Sequence, residues 1–437
     1  MRKSIREFAD MLGVETTTVS NWRSGLSAVK PRSVAQEILD TAYARHATQD
    51  DRARFEQIIA EGEAAWRSRH SLPAHPAPAV DVRTGDTLTG FEFNTGRRGW
   101  SGLDTLLVDV DDFTALAAEI ETALWAAGNV DYTGPLRSIP ALIAASRTVT
   151  RLNMVGEYST LAVMLAPLIT DLYRHTRESG ESEQRIAWDA LAQVSFDTSV
   201  VMRARGHLTL AWVAARAAED AARAIDSKSG CAAAAFVSSQ VLLARPISTK
   251  AALDRAESTA ASAGSRIETV NEVQAMGMLH LQAALATAAG GGSPHDHLDH
   301  ATEYAARLDG PVTADRSSII GNPTFNSANV ALWKMSVAME GREPEAVLAL
   351  AQKLKPQMLP TPGRAAQYFV EVGRAAASRR DYGTSLNALL RAESIAPEQV
   401  RNSDAVQETV GDMMSVAKRT LTTGDLGKLA QRIGVVA

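Results

Sequence analysis

Three short stretches of the chain carry residue types that bind or react elsewhere in proteins. His295-Asp-His-Leu-Asp-His300 sets His297 and His300 one helical turn apart, a spacing that suits paired metal ligands. Ser293-Pro294 ahead of it is a standard helix opening, and Asp296 favours the positive end of a helix dipole. A structural helix start is therefore expected there, with no metal. Asp109-Val-Asp-Asp112 lacks the glycine and spacing of a calcium loop and reads as a solvated helix N-terminus. Asn322-Pro-Thr-Phe-Asn-Ser-Ala-Asn-Val330 holds more amides than one helix cap needs. An amide offers one donor face and one acceptor face, enough to bracket a peptide backbone. Asn326 and Asn329 are candidate ligand-binding residues on that ground. Arg364 and Gln367, which open a later helix, join them, Arg364 as a partner for a ligand carboxylate. The competing reading of all four is ordinary caps and solvent-facing side chains.

No phosphate-cradling glycine loop, nucleophile elbow or Cys/His pairing occurs, and Gly290-Gly-Gly292 follows a helical pattern, not a strand. Enzymatic chemistry has no foothold, and no cofactor is expected. The single cysteine excludes a disulfide scaffold and fits a reducing compartment. With 437 residues and 45% hydrophobic side chains the chain is long enough for two or three domains with a sizeable core. A formal charge of -5 argues against wholesale coating of nucleic acid but leaves room for a local basic patch. The most apolar stretches, such as Cys231 to Ala244, are too short to span a bilayer, so a cytoplasmic protein with no membrane partner is expected.

The elements that would position these residues follow from periodicity. At the N-terminus Ile5, Phe8, Ala9 and Leu12 share one helical face; Gly13 suits a tight turn; a second helix, about Thr16 to Ser24, turns Val19 and Trp22 inward and stops at Gly25. Two short helices crossing at a small residue, here Ala9, make a helix-turn-helix, whose second helix enters the DNA major groove. Met1 to Arg32 holds six Lys/Arg against three Asp/Glu, a basic patch on an acidic chain. Ser71-Leu-Pro-Ala-His-Pro-Ala-Pro-Ala79 is a stiff linker, and Val80-Asp-Val and Phe91-Glu-Phe beyond it alternate as a short hairpin would.

The first stretch resembles the Xre-type helix-turn-helix family of phage repressors and bacterial regulators, over Ser4 to about Arg45. The resemblance implies base-reading roles for Thr16, Thr17 and Asn21. Asparagine can pair bidentately with adenine, and threonine can meet a thymine methyl. It implies phosphate contacts for Ser20, Arg23, Lys30 and Arg32, which give affinity without sequence choice. The family has a further helix ahead of the Ile5 helix. Here four residues precede it, so that helix is expected upstream of Met1, or replaced by the segment from Asp51 to Trp66, or absent.

From Leu103 onward helical periodicity dominates: Leu103 to Ala126, Pro135 to Met154, Tyr158 to His175 and Glu181 to Arg205 each repeat apolar residues at i, i+3, i+4 and i+7. Turns between paired helices are expected near Gly156, Gly206, Pro246, Gly291, Gly341 and Asp381, about 40 to 50 residues apart. In the last pair Phe369, Val372, Gly373, Ala376, Ser385, Leu389, Ala392 and Pro397 fall on the positions of the tetratricopeptide pattern, with Ala376 the clear size mismatch. Lys30-Pro-Arg-Ser-Val-Ala-Gln, Arg52-Ala-Arg-Phe, Phe325-Asn-Ser-Ala-Asn-Val and Leu390-Arg-Ala-Glu-Ser-Ile-Ala-Pro-Glu resemble pieces of actinomycete regulators that join an Xre-type head to a tetratricopeptide-like array. More distantly the layout is similar to peptide-sensing regulators of Gram-positive bacteria.

The expectation is an all-α chain: a helix-turn-helix head at 1–70, a linker at 71–102, and a superhelical, tetratricopeptide-like array of about six antiparallel helix pairs at 103–437. The function implied is a DNA-binding transcriptional regulator, a repressor by preference, working as a homodimer on a double-stranded DNA operator in the bacterial nucleoid. Its array would bind a peptide or small-molecule signal. The alternative is a tetratricopeptide interaction scaffold whose vestigial head no longer binds DNA.

Overall fold

The computed structural model describes residues 48–49, 113–126, 134–262, 267–308, 320, 324–416 and 424–435. Contacts divide the chain into two units, Met1–Asp112 and Phe113–Ala437. The linker, the hairpin segment and the head apart from residues 48–49, including Thr16, Thr17, Ser20, Asn21, Arg23, Lys30 and Arg32, lie outside the described residues, as do 103–112.

Every regular element of the described second unit is helical, so the chain is all-α there. The helices are α1 (Phe113–Ala126), α2 (Ile139–Val155), α3 (Tyr158–Glu178), α4 (Glu181–Ala204), α5 (Leu208–Ala224) and α6 (Lys228–Leu243). They continue as α7 (Thr249–Ser262), α8 (Val270–Ala289), α9 (His295–Arg307), α10 (Ser327–Glu340), α11 (Pro344–Lys353) and α12 (Pro362–Ser378). The last are α13 (Tyr382–Ile395), α14 (Pro397–Arg401), α15 (Asp404–Val416) and α16 (Asp425–Arg432). None among the described residues is long and apolar enough to cross a membrane.

Local sequence explains where these helices begin. Thr269 and Glu272 form a reciprocal capping box at α8. Ser227, Asn326, Thr361 and Asp381 accept hydrogen bonds from the amides of Gly230, Asn329, Arg364 and Thr384, opening α6, α10, α12 and α13. The ends share one geometry. Residues 156, 206, 226, 291, 342 and 380 all adopt a left-handed φ between 54° and 81°. In each case the next amide reaches back to the carbonyl five residues earlier, as from Glu157 to Leu152 and from Asp381 to Ala376. This is the Schellman closure, which satisfies carbonyls that a helix end leaves bare. Three of these positions are glycine, for which the conformation costs little; Asp226, Arg342 and Arg380 adopt it despite a Cβ.

Packing turns this repeated turn into an array. Each helix from α2 to α13 packs on the next, and the even-numbered helices α2, α4, α6, α8, α10 and α12 also pack on one another in succession. Even-numbered helices therefore form an inner layer and the helices that follow them an outer one. On α3, Leu161, Leu165, Leu168 and Leu172 form one fully buried stripe, each contributing about 1.5–3 kcal/mol by leaving water. Alanines on α5 and glycines on α8 and α12 allow the close approaches. A Cβ on Gly373 would stand 2.8 Å from the Leu389 side chain on α13. The array bends until its ends meet, because α12 packs against α2.

Candidate functional site: a chamber inside the helix array

Bending brings the inner faces of α2, α4, α6, α8 and α12 around a central chamber of about 510 Å³, with α14 and the start of α15 closing one side. That volume lies within the range of small-molecule sites. The α4 face that supplies it is spaced for one side of a helix: Gln193, Phe196, Asp197, Val200 and Arg203.

Asp197 is 1% exposed. Its carboxylate accepts from Thr150 Oγ1 at 2.6 Å, Asn153 Nδ2 at 2.7 Å and Gln193 Nε2 at 3.1 Å. Burial pushes its pKa up, and these three donors pull the other way. Tyr158, at the first turn of α3, is pushed up by burial, while the nearby charges of Arg203 and Arg364 act to lower it.

Arg203 and Arg364 are half-buried and face the same chamber. Neither guanidinium has a hydrogen bond or an ion pair within 4.0 Å among the described residues, and the Nε of Arg203 is wholly shielded from solvent. Burial lowers the pKa of both, that of Arg364 to about 10, and Arg203 contributes to the fall at Arg364. A guanidinium stays protonated in proteins, so both are cations. The Arg364 guanidinium lies 5.9 Å from the centroid of the Trp333 ring.

Of the three carboxylates in the lining, Asp197 and Glu340 are otherwise engaged. Glu340 pairs with Arg374 at 3.1 Å. Asp404 is exposed at the start of α15 and acts on Arg203 only at a distance. On the wall from α8, Gln282 is fully buried, and both atoms of its amide lack a partner. Phe196 and Phe236 stack at 6.3 Å and supply an apolar wall.

Of the four candidate ligand residues, the structure brings Arg364 and Gln367 to the chamber. Gln367 donates its amide to Glu371 at 2.6 Å. Asn326 and Asn329 are not in the lining. The Asn326 side chain caps α10, accepting from the Asn329 amide at 2.8 Å. Asn329 is fully buried against α8, its Nδ2 3.4 Å from Met278 Sδ. Arg203, Gln282, Tyr158 and Asp197 were not singled out by motif. The available signal was polar residues 193, 197 and 203 on one face of a helix whose other positions are largely small or apolar.

At His295–His300 the structure builds the start of α9. His280 of α8 joins it, with its ring stacked on His300 at 4.9 Å and its Nδ1 3.3 Å from Nδ1 of His297. Among the described residues no group of three or more His, Cys, Asp or Glu has the arrangement of a metal site.

Compared with protein-family models, with curated proteins and with solved structures, the chain finds no match.

Proposed function

We propose that the protein is a DNA-binding transcriptional regulator whose helical array is a ligand sensor. The observation that carries the sensing half is the chamber: two arginines with no hydrogen-bond or ion-pair partner among the described residues face a space of about 510 Å³, and behind that wall the fully buried Gln282 has neither amide atom partnered. A merely structural core would have paired or omitted such groups, since buried polar atoms are almost always satisfied. The DNA-binding half rests on the residue pattern of Ile5 to Gly25 and the local basic excess.

In this reading the six stacked pairs are a tetratricopeptide-like superhelix and the protein works as a homodimeric repressor in the bacterial cytoplasm. Thr16, Thr17 and Asn21 read bases, while Ser20, Arg23, Lys30 and Arg32 hold phosphates. A stacked array changes curvature through its nearest-neighbour interfaces. A ligand that favours one curvature shifts the spacing of two heads, which DNA requires at about 34 Å or multiples of it.

The test is selection of sheared genomic fragments by the full-length protein. Enrichment of one sequence with two-fold-related half-sites is expected. Equally weak retention of every fragment would overturn the regulator and favour an interaction scaffold with a vestigial head.

A further inference from the structure

Resting on the ligand-sensing reading and deepening it, we infer that the chamber binds a compact small molecule carrying one oxyanion, a carboxylate or a phosphate, clamped between Arg203 and Arg364.

Charge decides the head group. Arg203 and Arg364 each lack a carboxylate partner within 4.0 Å among the described residues, and the charge of Arg203 disfavours that of Arg364. Asp197 is saturated by three neutral donors, and Glu340 is held by Arg374. Water can satisfy guanidinium donors but leaves two like charges together inside protein walls. An oxyanion satisfies both, and the planar fork of arginine matches carboxylate and phosphate geometry. The first turns of α3 and α12, which supply Tyr158 and Arg364, also face the chamber and add the positive ends of their dipoles.

The stacked Phe196 and Phe236 leave an apolar wall for the remainder. Size favours a compact molecule over an extended chain, because about 510 Å³ is the scale of a small-molecule pocket.

The experiment is calorimetric titration of the full-length protein, with no DNA present. The probes are sodium phosphate and sodium succinate, each against sodium chloride at equal ionic strength. Saturable binding of at least one oxyanion above chloride is expected, and which one binds separates the two head groups. Arg203→Gln and Arg364→Gln each weaken it at least tenfold, whereas Lys250→Gln, on the exposed face of α7, leaves it unchanged. Both arginine variants should also melt no lower than wild type in chloride, since each removes a half-buried charge with no ion-pair partner, so misfolding does not explain the loss. Binding indistinguishable from chloride, or undiminished in both arginine variants, overturns the inference. Oxyanion binding that never alters DNA affinity leaves this inference standing and contradicts the regulatory reading; selective DNA binding without oxyanion binding does the reverse.

Discussion

Glu398 Oε2 accepts hydrogen bonds from both the backbone amide and the hydroxyl of Ser159, at 2.8 and 2.9 Å, across 239 residues of sequence. The contact clasps the start of α14 to the first turn of α3. Around it Gly156 lies against Ala396 and Gln399, and Gln399 donates to the Gly363 carbonyl at 3.1 Å. Two helix pairs remote in sequence thereby close the chamber that the inner layer lines.

The clasp gives a first prediction. Glu398→Ala removes both bonds and the weaker attraction to Arg205 at 3.9 Å. A loss of about 1–2 kcal/mol is expected, because hydrogen bonds to a charged group contribute more than neutral ones but this one is partly exposed. Hydrogen exchange should rise first at the amides around Ser159. Unchanged protection there would mean that the ends meet without this contact.

Glycine and alanine positions give a second. A Cβ on Gly277 would stand 2.0 Å from the ring of Phe325, and Ala392 is fully buried where α13 packs. Gly277→Ala and Ala392→Leu should each cost about 1–3 kcal/mol or more in denaturant unfolding. Gly383 has open space, its nearest neighbour being Asp381 Oδ1 at 3.9 Å. Gly383→Ala should be neutral or stabilising by up to about 1 kcal/mol. A common response from all three variants would show that the close approaches are misassigned.

Acid sensitivity gives a third. Burial, with repulsion from His300 and His297, pushes the pKa of His280 down to about 4 from an ordinary 6.5. The unfolded chain then binds a proton between about pH 6.5 and 4 that the folded chain refuses. Stability therefore falls as pH drops through that window, by about 1–3 kcal/mol. The other groups at this stack are Tyr304, beside His280, and Glu257, 3.3 Å from His297. His280→Phe keeps the stack and should flatten the decline, which chemical denaturation at a series of pH values would read. An unaltered slope would place the acid sensitivity elsewhere.

The paired architecture was legible in sequence because its punctuation is chemical. Gly156, Gly206 and Gly291 mark turns through their left-handed φ, and Gly341 and Asp381 stand beside Arg342 and Arg380, which adopt it without being glycine. The turn at Asp226 gave no such signal. Helix spans also emerged from periodicity, with α4 observed over Glu181–Ala204 where Glu181 to Arg205 was expected. The chamber was less visible, since it exists only once α2 and α12 meet. Arg364 stood out beside a helix opening. Arg203 and Gln282 did not, because nothing local tells a lining residue from a solvent-facing one. The amides of Asn326 and Asn329 were conspicuous for a local reason, capping α10.

The head gives a fourth prediction, carried by residue pattern alone. Asn21→Ala should lose about 1–3 kcal/mol on the selected site and almost nothing on random duplex. Arg23→Ala and Arg32→Ala should weaken all duplexes alike and flatten the salt dependence. Titration at several salt concentrations separates the two behaviours; identical losses from all three would deny Asn21 a base-reading role.

Coupling between chamber and head is tested most directly by fluorescence anisotropy of the selected duplex, with and without the small-molecule fraction of the native cell. The fraction should change the Kd of wild type at least tenfold, which needs only about 1.4 kcal/mol of differential binding. In Arg203→Gln and Arg364→Gln the same fraction should leave Kd unchanged. An equal response in wild type and both variants, or none in wild type, would contradict sensing through this chamber.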